Sequence, residues 1–142
     1  MGPAAEIDVI IPVYRPGERF LELLARLAEQ TMPIGTLVLI NTEKKDWTEE
    51  AQKLIERLSG ERNAIGSIQL LHIRREEFDH AATRNLGTEL CEAPVFVCMT
   101  DDAVPADDRL LERLYGAFFQ EKEGEAIVEA AYARQIPRED CC

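Results

Sequence analysis

The chain has 142 residues, of which 46% are hydrophobic, and this fits one globular domain of ordinary size. Its net charge of −11 repels phosphate backbones, so the composition argues against a nucleic-acid-binding protein. No run approaches the roughly 18 apolar residues of a transmembrane segment, and the first residues lack a basic signal-peptide start, so we expect a cytoplasmic protein.

The first half of the chain alternates strand and helix patterns. Residues 8–13 are a continuous apolar run typical of a central parallel strand, followed by a turn over residues 14–17. Apolar positions at helical spacing predict a helix over residues 18–30, and residues 36–40 predict a second strand. After a polar loop over residues 41–45, Asp46 and Glu49 resemble a capping box for a second helix, whose apolar positions are Ala51, Leu54, Ile55 and Leu58.

The second half continues the alternation. We predict a third strand over residues 68–73 and a third helix over residues 80–92, with Asp79 as its N-cap. A fourth strand over residues 95–99, a helix over residues 107–119 and a fifth strand over residues 127–133 follow. The predicted inward positions of the two helices are Ala82, Leu86, Leu90, Leu110, Leu114 and Phe118.

This alternation indicates a layered α/β domain with parallel strands joined by right-handed crossovers. If the sheet is doubly wound, its order is 3-2-1-4 and the switch point lies between the first and fourth strands. Ligands of such sheets bind beyond the carboxyl ends of the strands at that point. The loops there are residues 14–17 and residues 100–102, so the ligand crevice would contain Asp101 and Asp102.

The adjacent carboxylates of Asp101 and Asp102 repel each other unless a positive group lies beside them. Mg²⁺ or Mn²⁺ is a natural partner, because such ions are held by one or two carboxylates together with substrate phosphates. The alternative is a solvated acidic turn that caps the helix starting near Asp107.

A second candidate feature is the predicted start of the third helix. His80 and Arg84 lie one turn apart there, and Arg84 can hydrogen-bond a base or a phosphate near the helix N-terminus. The alternative is a surface arginine paired with Asp79 or Glu77. The chain has neither of the glycine-rich phosphate-binding patterns, G-x-G-x-x-G and G-x-x-x-x-G-K.

Three segments, in order, resemble the family-two, GT-A-type nucleotide-sugar glycosyltransferases. They are Val9-Ile-Ile-Pro-Val-Tyr14, Ala82-Thr-Arg-Asn-Leu-Gly87 and Met99-Thr-Asp-Asp-Ala103. Residues 41–45, 77–80 and 102–105 look like the bacterial rhamnosyltransferase-type branch. The resemblance implies a three-layer, Rossmann-like GT-A domain spanning residues 1–142, incomplete at the C-terminus.

The resemblance also implies roles for individual residues. Pro12, Val13 and Tyr14 would contact the nucleotide base, and Asp79 and Arg84 would line the base and ribose pocket. Asp101 would hold the nucleotide, and Asp102 would bind the Mg²⁺ or Mn²⁺ that bridges the diphosphate of a UDP- or dTDP-linked sugar. Many relatives have a base-recognising Asp after the second strand, where Glu43 is the candidate substitute in this chain.

The acceptor, a carbohydrate or lipid-linked hydroxyl, and the catalytic base would lie downstream of the fifth strand, so we expect little transfer by this chain alone. Peripheral attachment to an inner membrane is left open. A sheet that stops after its fifth strand would leave an uncovered edge, which can drive homodimerisation.

The main alternative is a non-catalytic α/β nucleotide-binding or signalling module. A receiver domain, however, needs acids after the first strand, where this chain has Tyr14 and Arg15. An α/β hydrolase needs a G-x-S-x-G elbow, which the chain lacks.

Overall fold

The structure, a computed structural model, describes residues 5–117. This part contains four strands and four α-helices. The strands are β1 (Ile7–Tyr14), β2 (Ile34–Thr42), β3 (Ile65–Ile73) and β4 (Val95–Cys98); the helices are α1 (Glu18–Ala28), α2 (Glu49–Gly60), α3 (His80–Glu89) and α4 (Leu110–Gly116). Two 3₁₀ turns, Lys44–Asp46 and Arg75–Glu77, follow β2 and β3.

The four strands form a parallel sheet of order β3-β2-β1-β4, which confirms the predicted topology. β1 is central and pairs with β2 from Val9 to Tyr14, but with β4 only from Ile7 to Ile10. The carboxyl half of β1 therefore has a strand neighbour on one side only, and this opens the sheet at the predicted switch point.

Helices cover both faces of the sheet. The odd-numbered residues of β1 pack against α1, α2 and Leu111 of α4 in the main core. On the other face, Ile10 joins Val38 and Ile40 under Leu86 of α3 and Leu90 directly after it. The arrangement is thus three layers, as expected for a Rossmann-like domain.

All four strands differ in length from their predicted ranges. Tyr14, Asn41 and Thr42 were expected in loops, but they continue β1 and β2 because Val13 pairs with Asn41 and Tyr14 with Thr42. β3 also begins three residues early, and β4 stops at Cys98. Backbone pairing with a neighbouring strand outweighs local turn composition at these positions.

The predicted capping box is wrong. Thr48, rather than Asp46, is the N-cap of α2, and its hydroxyl accepts from the Ala51 N–H at 3.1 Å. Asp46 instead ends the 3₁₀ turn after β2. The predicted N-cap of α3 is confirmed, since Asp79 Oδ1 accepts from the Ala82 N–H at 2.9 Å.

The predicted inward stripe of α3 is only partly correct. Leu86 and Leu90 are half-buried as expected, but Ala82 is exposed, and the fully buried positions are Thr83 and Gly87. The reason is a close approach of helix and sheet: a Cβ on Gly87 would lie 2.5 Å from Ile10 Cγ2. The smallest residue of the helix therefore faces the sheet. The helix also ends at Glu89 rather than at residue 92.

α4 begins at Leu110, three residues later than predicted, and buries Leu111 rather than Leu110 or Leu114. The shift follows from hydrogen bonds that join its first turn to Gln30 and Thr31, which directly follow α1. Phe118 and the predicted strand over residues 127–133 lie outside the described residues. Within residues 5–117, no helix is long and apolar enough to cross a membrane.

Candidate nucleotide-sugar site

The ends of β1 and β4 are tied together by a backbone-to-carboxylate hydrogen bond. The Ile10 carbonyl accepts from the Met99 N–H at 2.9 Å, and four residues later the Tyr14 N–H donates to Asp101 Oδ2 at 3.0 Å. Pro12 lies between these two contacts, where β4 pairing has already ended and a missing N–H costs nothing. The acidic turn is thus fixed beside the end of β1.

The two carboxylates of this turn have different surroundings. Asp101 is half-buried, and its burial raises its pKa; the bond from Tyr14 opposes this effect, whereas the neighbouring Asp102 charge adds to it. Asp102 is exposed, and its Oδ1 accepts from the Thr100 hydroxyl at 3.0 Å. No Lys, Arg or His among residues 5–117 forms an ion pair with either carboxylate.

Glu43 connects the loops that follow β2 and β3. Its Oε1 accepts from the Arg75 N–H at 2.7 Å, and its own N–H donates to the Ile73 carbonyl at 2.7 Å. Glu43 and Arg15 are the two described non-glycine residues with positive φ, at 69° and 50°, and both follow directly on strand ends at this edge. Such backbone strain is concentrated at functional sites.

The start of α3 places Asp79 and Arg84 beyond the same edge of the sheet. One oxygen of Asp79 is used as the helix N-cap. Arg84 is exposed, and its charge lies close enough to Cys98, at the end of β4, to counteract the rise in the pKa of this thiol that burial causes. The predicted alternative, an ion pair of Arg84 with Asp79 or Glu77, is absent from the described residues: Glu77 pairs with Arg74 at 3.1 Å.

Sequence reasoning missed the role of Asn41, which it assigned to a polar loop. Asn41 is 0% exposed, and its amide nitrogen donates to the Glu43 carbonyl at 3.1 Å and to His72 Nδ1 at 3.0 Å. His72 in turn packs edge-on against Trp47. The available signal was the alternation of β2, because Leu37, Leu39 and Asn41 share the core-facing side of the strand.

Comparison with known proteins identifies the family. The family model described as glycosyl transferase family 2 matches residues 8–138, which is nearly the whole chain. The chain belongs to glycosyl transferase family 2. It is also 26% identical over 136 residues to the O-antigen chain rhamnosyltransferase RfbN of Salmonella typhimurium, a match that covers 95% of this chain and 38% of that protein.

Solved structures of S. aureus TarS have the same fold. S. aureus TarS, residues 1–349, superposes with a TM-score of 0.60 at 19% identity, over 80% of this chain and 32% of that one. The TarS 1–349 structure in complex with UDP-GlcNAc superposes with a TM-score of 0.56 at 17% identity, over 87% of this chain and 37% of that one. The family-2 chain therefore spans between 32% and 38% of the length of these relatives.

The acidic turn of this family-2 chain fits a divalent cation that is completed by substrate. Among residues 5–117, no group of three or more His, Cys, Asp or Glu side chains is arranged to hold a metal ion by protein ligands alone. Mg²⁺ and Mn²⁺ sites at phosphates need only one or two carboxylates. Asp102 is exposed beside a second carboxylate, and neither forms an ion pair within the described part of the chain. The donor set therefore suits an ion that arrives with a diphosphate.

Proposed function

We propose that this chain is the donor-binding domain of a glycosyltransferase, which binds a UDP- or dTDP-linked sugar between the ends of β1 and β4. The observation that carries the proposal is the hydrogen bond from Tyr14 to Asp101, which holds the acidic turn at the switch point of the sheet, where no Lys, Arg or His among residues 5–117 forms an ion pair with it. Membership of family 2, and the UDP-GlcNAc complex of the structurally similar TarS, support it. The family match over residues 8–138 supports treating residues 1–142 as one domain.

We assign the base and ribose to the β1 and α3 side of this crevice. Val13 is 2% exposed, so we expect its backbone, with that of Pro12 and Tyr14, rather than its side chain to contact the base. Asp79 and Arg84 would line the base and ribose pocket. Glu43 would take part through the carboxylate oxygen that does not accept from Arg75.

We assign the diphosphate to the acidic turn. Asp101 would hold the nucleotide from its half-buried position, while the exposed Asp102 would bind Mg²⁺ or Mn²⁺. When bound, the cation supplies Lewis-acid stabilisation of the leaving diphosphate. The protein's own contribution is to fix both carboxylates relative to β1 and so to set the position of the donor.

We propose transfer of the sugar to a carbohydrate or lipid-linked hydroxyl for the whole protein, by analogy with the rhamnosyltransferase relative. No residue within 5–117 is assigned as the catalytic base. Homodimerisation, location in the cytoplasm and peripheral attachment to the inner membrane stay predictions.

Calorimetric titration of the chain with UDP or dTDP in the presence of Mn²⁺ tests the proposal. We expect saturable binding, and we expect Asp102→Asn to weaken it at least about tenfold because a metal ligand is lost. Asp108→Asn is the matched control, because it removes one exposed carboxylate from the same connection without touching the turn. No heat from a folded wild-type chain, or equal losses in both variants, would contradict the proposal.

A further inference from the structure

Besides the packing of Val104 and Leu111 in the core, hydrogen bonds attach the turn that contains Asp101 and Asp102 to the domain on both of its sides, and only those on the amino-terminal side lie at the candidate site. On its amino-terminal side, Asp101 accepts from Tyr14 at the end of β1. On its carboxyl-terminal side, the chain runs through the buried Pro105 into α4. The second attachment is made by Gln30, just beyond the end of α1.

Gln30 is 6% exposed, and its amide group makes three hydrogen bonds. Its Nε2 donates to the Asp107 carbonyl at 2.9 Å and to the Arg26 carbonyl at 3.3 Å. Its Oε1 accepts from the Leu111 N–H at 3.1 Å. One buried side chain thus joins the last turn of α1, the connection after the acidic turn and the first turn of α4.

The contact with Leu111 explains how α4 begins. The first N–H groups of a helix have no partner within it, and Arg109, the N-cap of α4, makes no side-chain capping bond. Gln30 supplies the missing acceptor from a residue 81 positions away in the sequence. The neighbouring Thr31 strengthens the attachment, because its N–H donates to the Asp108 carbonyl at 2.8 Å and its hydroxyl to Glu112 at 2.8 Å.

We propose that Gln30 is a positioning residue for the Asp101–Asp102 turn, which sets the affinity for the metal and the nucleotide without touching either. The inference rests on the proposed function. α1 begins four residues after Tyr14 and ends two residues before Gln30, so the helix acts as a rigid spacer between the two attachments. If the carboxyl-terminal attachment is lost, the turn keeps its bond to Tyr14 but loses its fixed angle to β1.

The test compares Gln30→Leu with Ile55→Val. Leucine is close to glutamine in size and removes all three bonds, whereas Ile55→Val destabilises the core from α2, away from the turn. The first readout is amide hydrogen exchange without ligand at Tyr14, Ala103 and Val104, whose N–H groups donate to Asp101, Thr100 and Asp102. The second is the affinity for UDP with Mn²⁺.

At equal overall stability, we expect the three amides to exchange at least about tenfold faster in Gln30→Leu than in Ile55→Val. We also expect Gln30→Leu to bind UDP with Mn²⁺ at least about tenfold more weakly than Ile55→Val does. Thr31→Val is a second variant for the case that Gln30→Leu does not fold, since Thr31 is exposed and loses only its hydroxyl bond to Glu112. It should change exchange and binding in the same direction by a smaller factor.

Exchange at the turn that matches that of Ile55→Val in every folded variant would overturn the inference. So would unchanged binding in a variant whose turn exchanges faster. If the wild-type chain binds neither UDP nor dTDP, the proposed donor site fails, while the exchange measurements still decide whether Gln30 positions the turn.

Discussion

Asp8 lies near the start of β1 and Asp101 lies beside its end, yet their carboxylates are satisfied in opposite ways. Asp8 is 2% exposed and accepts from three backbone N–H groups, those of Thr36, Glu92 and Ala93, at 2.8, 2.8 and 3.0 Å. Asp101 is half-buried and accepts from one backbone N–H of another element, with a second carboxylate next to it. The first arrangement uses the charge to hold the sheet together, whereas the second leaves charge available for a ligand.

The largest effect should come from Asp8→Asn. An asparagine places an NH₂ group against at least one of the backbone donors that Asp8 accepts from, so a buried donor loses its partner. We expect the free energy of unfolding to fall by about 2–4 kcal/mol. Urea denaturation followed by Trp47 fluorescence measures it, with the exposed Asp108→Asn as control. A loss below about 1 kcal/mol would remove the contrast between the two carboxylates.

A somewhat smaller loss of stability should follow from Gly87→Ala. This substitution tests how tightly α3, the helix that contains Arg84, packs on β1. The added Cβ would lie 2.5 Å from Ile10 Cγ2, so either Ile10 or α3 must move, at a cost of about 1–3 kcal/mol. Gly60→Ala is the matched control, because nothing lies within 4 Å of its Cβ in the helix α2. Equal stability of the two variants in thermal unfolding would show that α3 has room to shift.

The strand order and the position of the acidic turn could be predicted from sequence because they depend on the alternation of elements along the chain. Hydrophobic periodicity, which can be read from a short stretch of sequence, identifies the elements. The right-handedness of crossovers, which holds for nearly all parallel sheets, then restricts their arrangement. The preference of aspartate for helix N-termini likewise predicted Asp79 as the N-cap of α3, because this contact spans three residues.

Gln30, Asn41 and Gly87 could not be assigned in the same way. Leu111, His72 and Ile10, which these residues contact, lie far away in the sequence. The alternation of β2 could indicate that Asn41 is buried, but no local pattern indicates these distant partners. The sequence places Gln30 at the end of the predicted helix over residues 18–30, whereas α1 ends at Ala28. Only the packing of α4 against α1 turns it into a buried cap.

Asp101→Asn should raise the free energy of unfolding, whereas Asp8→Asn should lower it. Burial and the Asp102 charge disfavour the ionised form of Asp101, as its raised pKa indicates, while an asparagine oxygen can still accept from Tyr14. Because Asp101 is half-exposed and solvent screens these effects, we expect a gain of no more than about 0.5 kcal/mol in stability at pH 7, together with loss of UDP–Mn²⁺ binding.

The sign of this effect can be checked by changing the pH. The advantage of Asp101→Asn should fade in thermal melts as the pH falls through the acid range, because the wild-type carboxyl then becomes neutral as well. If Asp101→Asn is less stable than the wild-type chain at pH 7, the charge of Asp101 stabilises the fold, as that of Asp8 does.

We expect the smallest effect on stability from His72. Its ring contacts Asn41 near the carboxyl end of β2, and no carboxylate takes part in this contact. Its Nδ1 accepts from Asn41, so the ring must be neutral, and burial together with the charge of Lys44 lowers its pKa. The unfolded chain takes up a proton near the ordinary value of 6.5, which the folded chain resists. The contribution of His72 to stability therefore declines as the pH falls below this value and is constant above it.

His72→Gln should remove this part of the pH dependence, about 0.5 kcal/mol or less, because a glutamine oxygen can accept from Asn41 without titrating. His80→Gln, which changes the other histidine of the chain, serves as control and should leave the decline in place. Urea midpoints compared at pH 7.5 and 5.5 measure both. If the decline persists in His72→Gln, the pH-sensitive contact at this edge lies elsewhere, and Asn41 holds Glu43 independently of the protonation of His72.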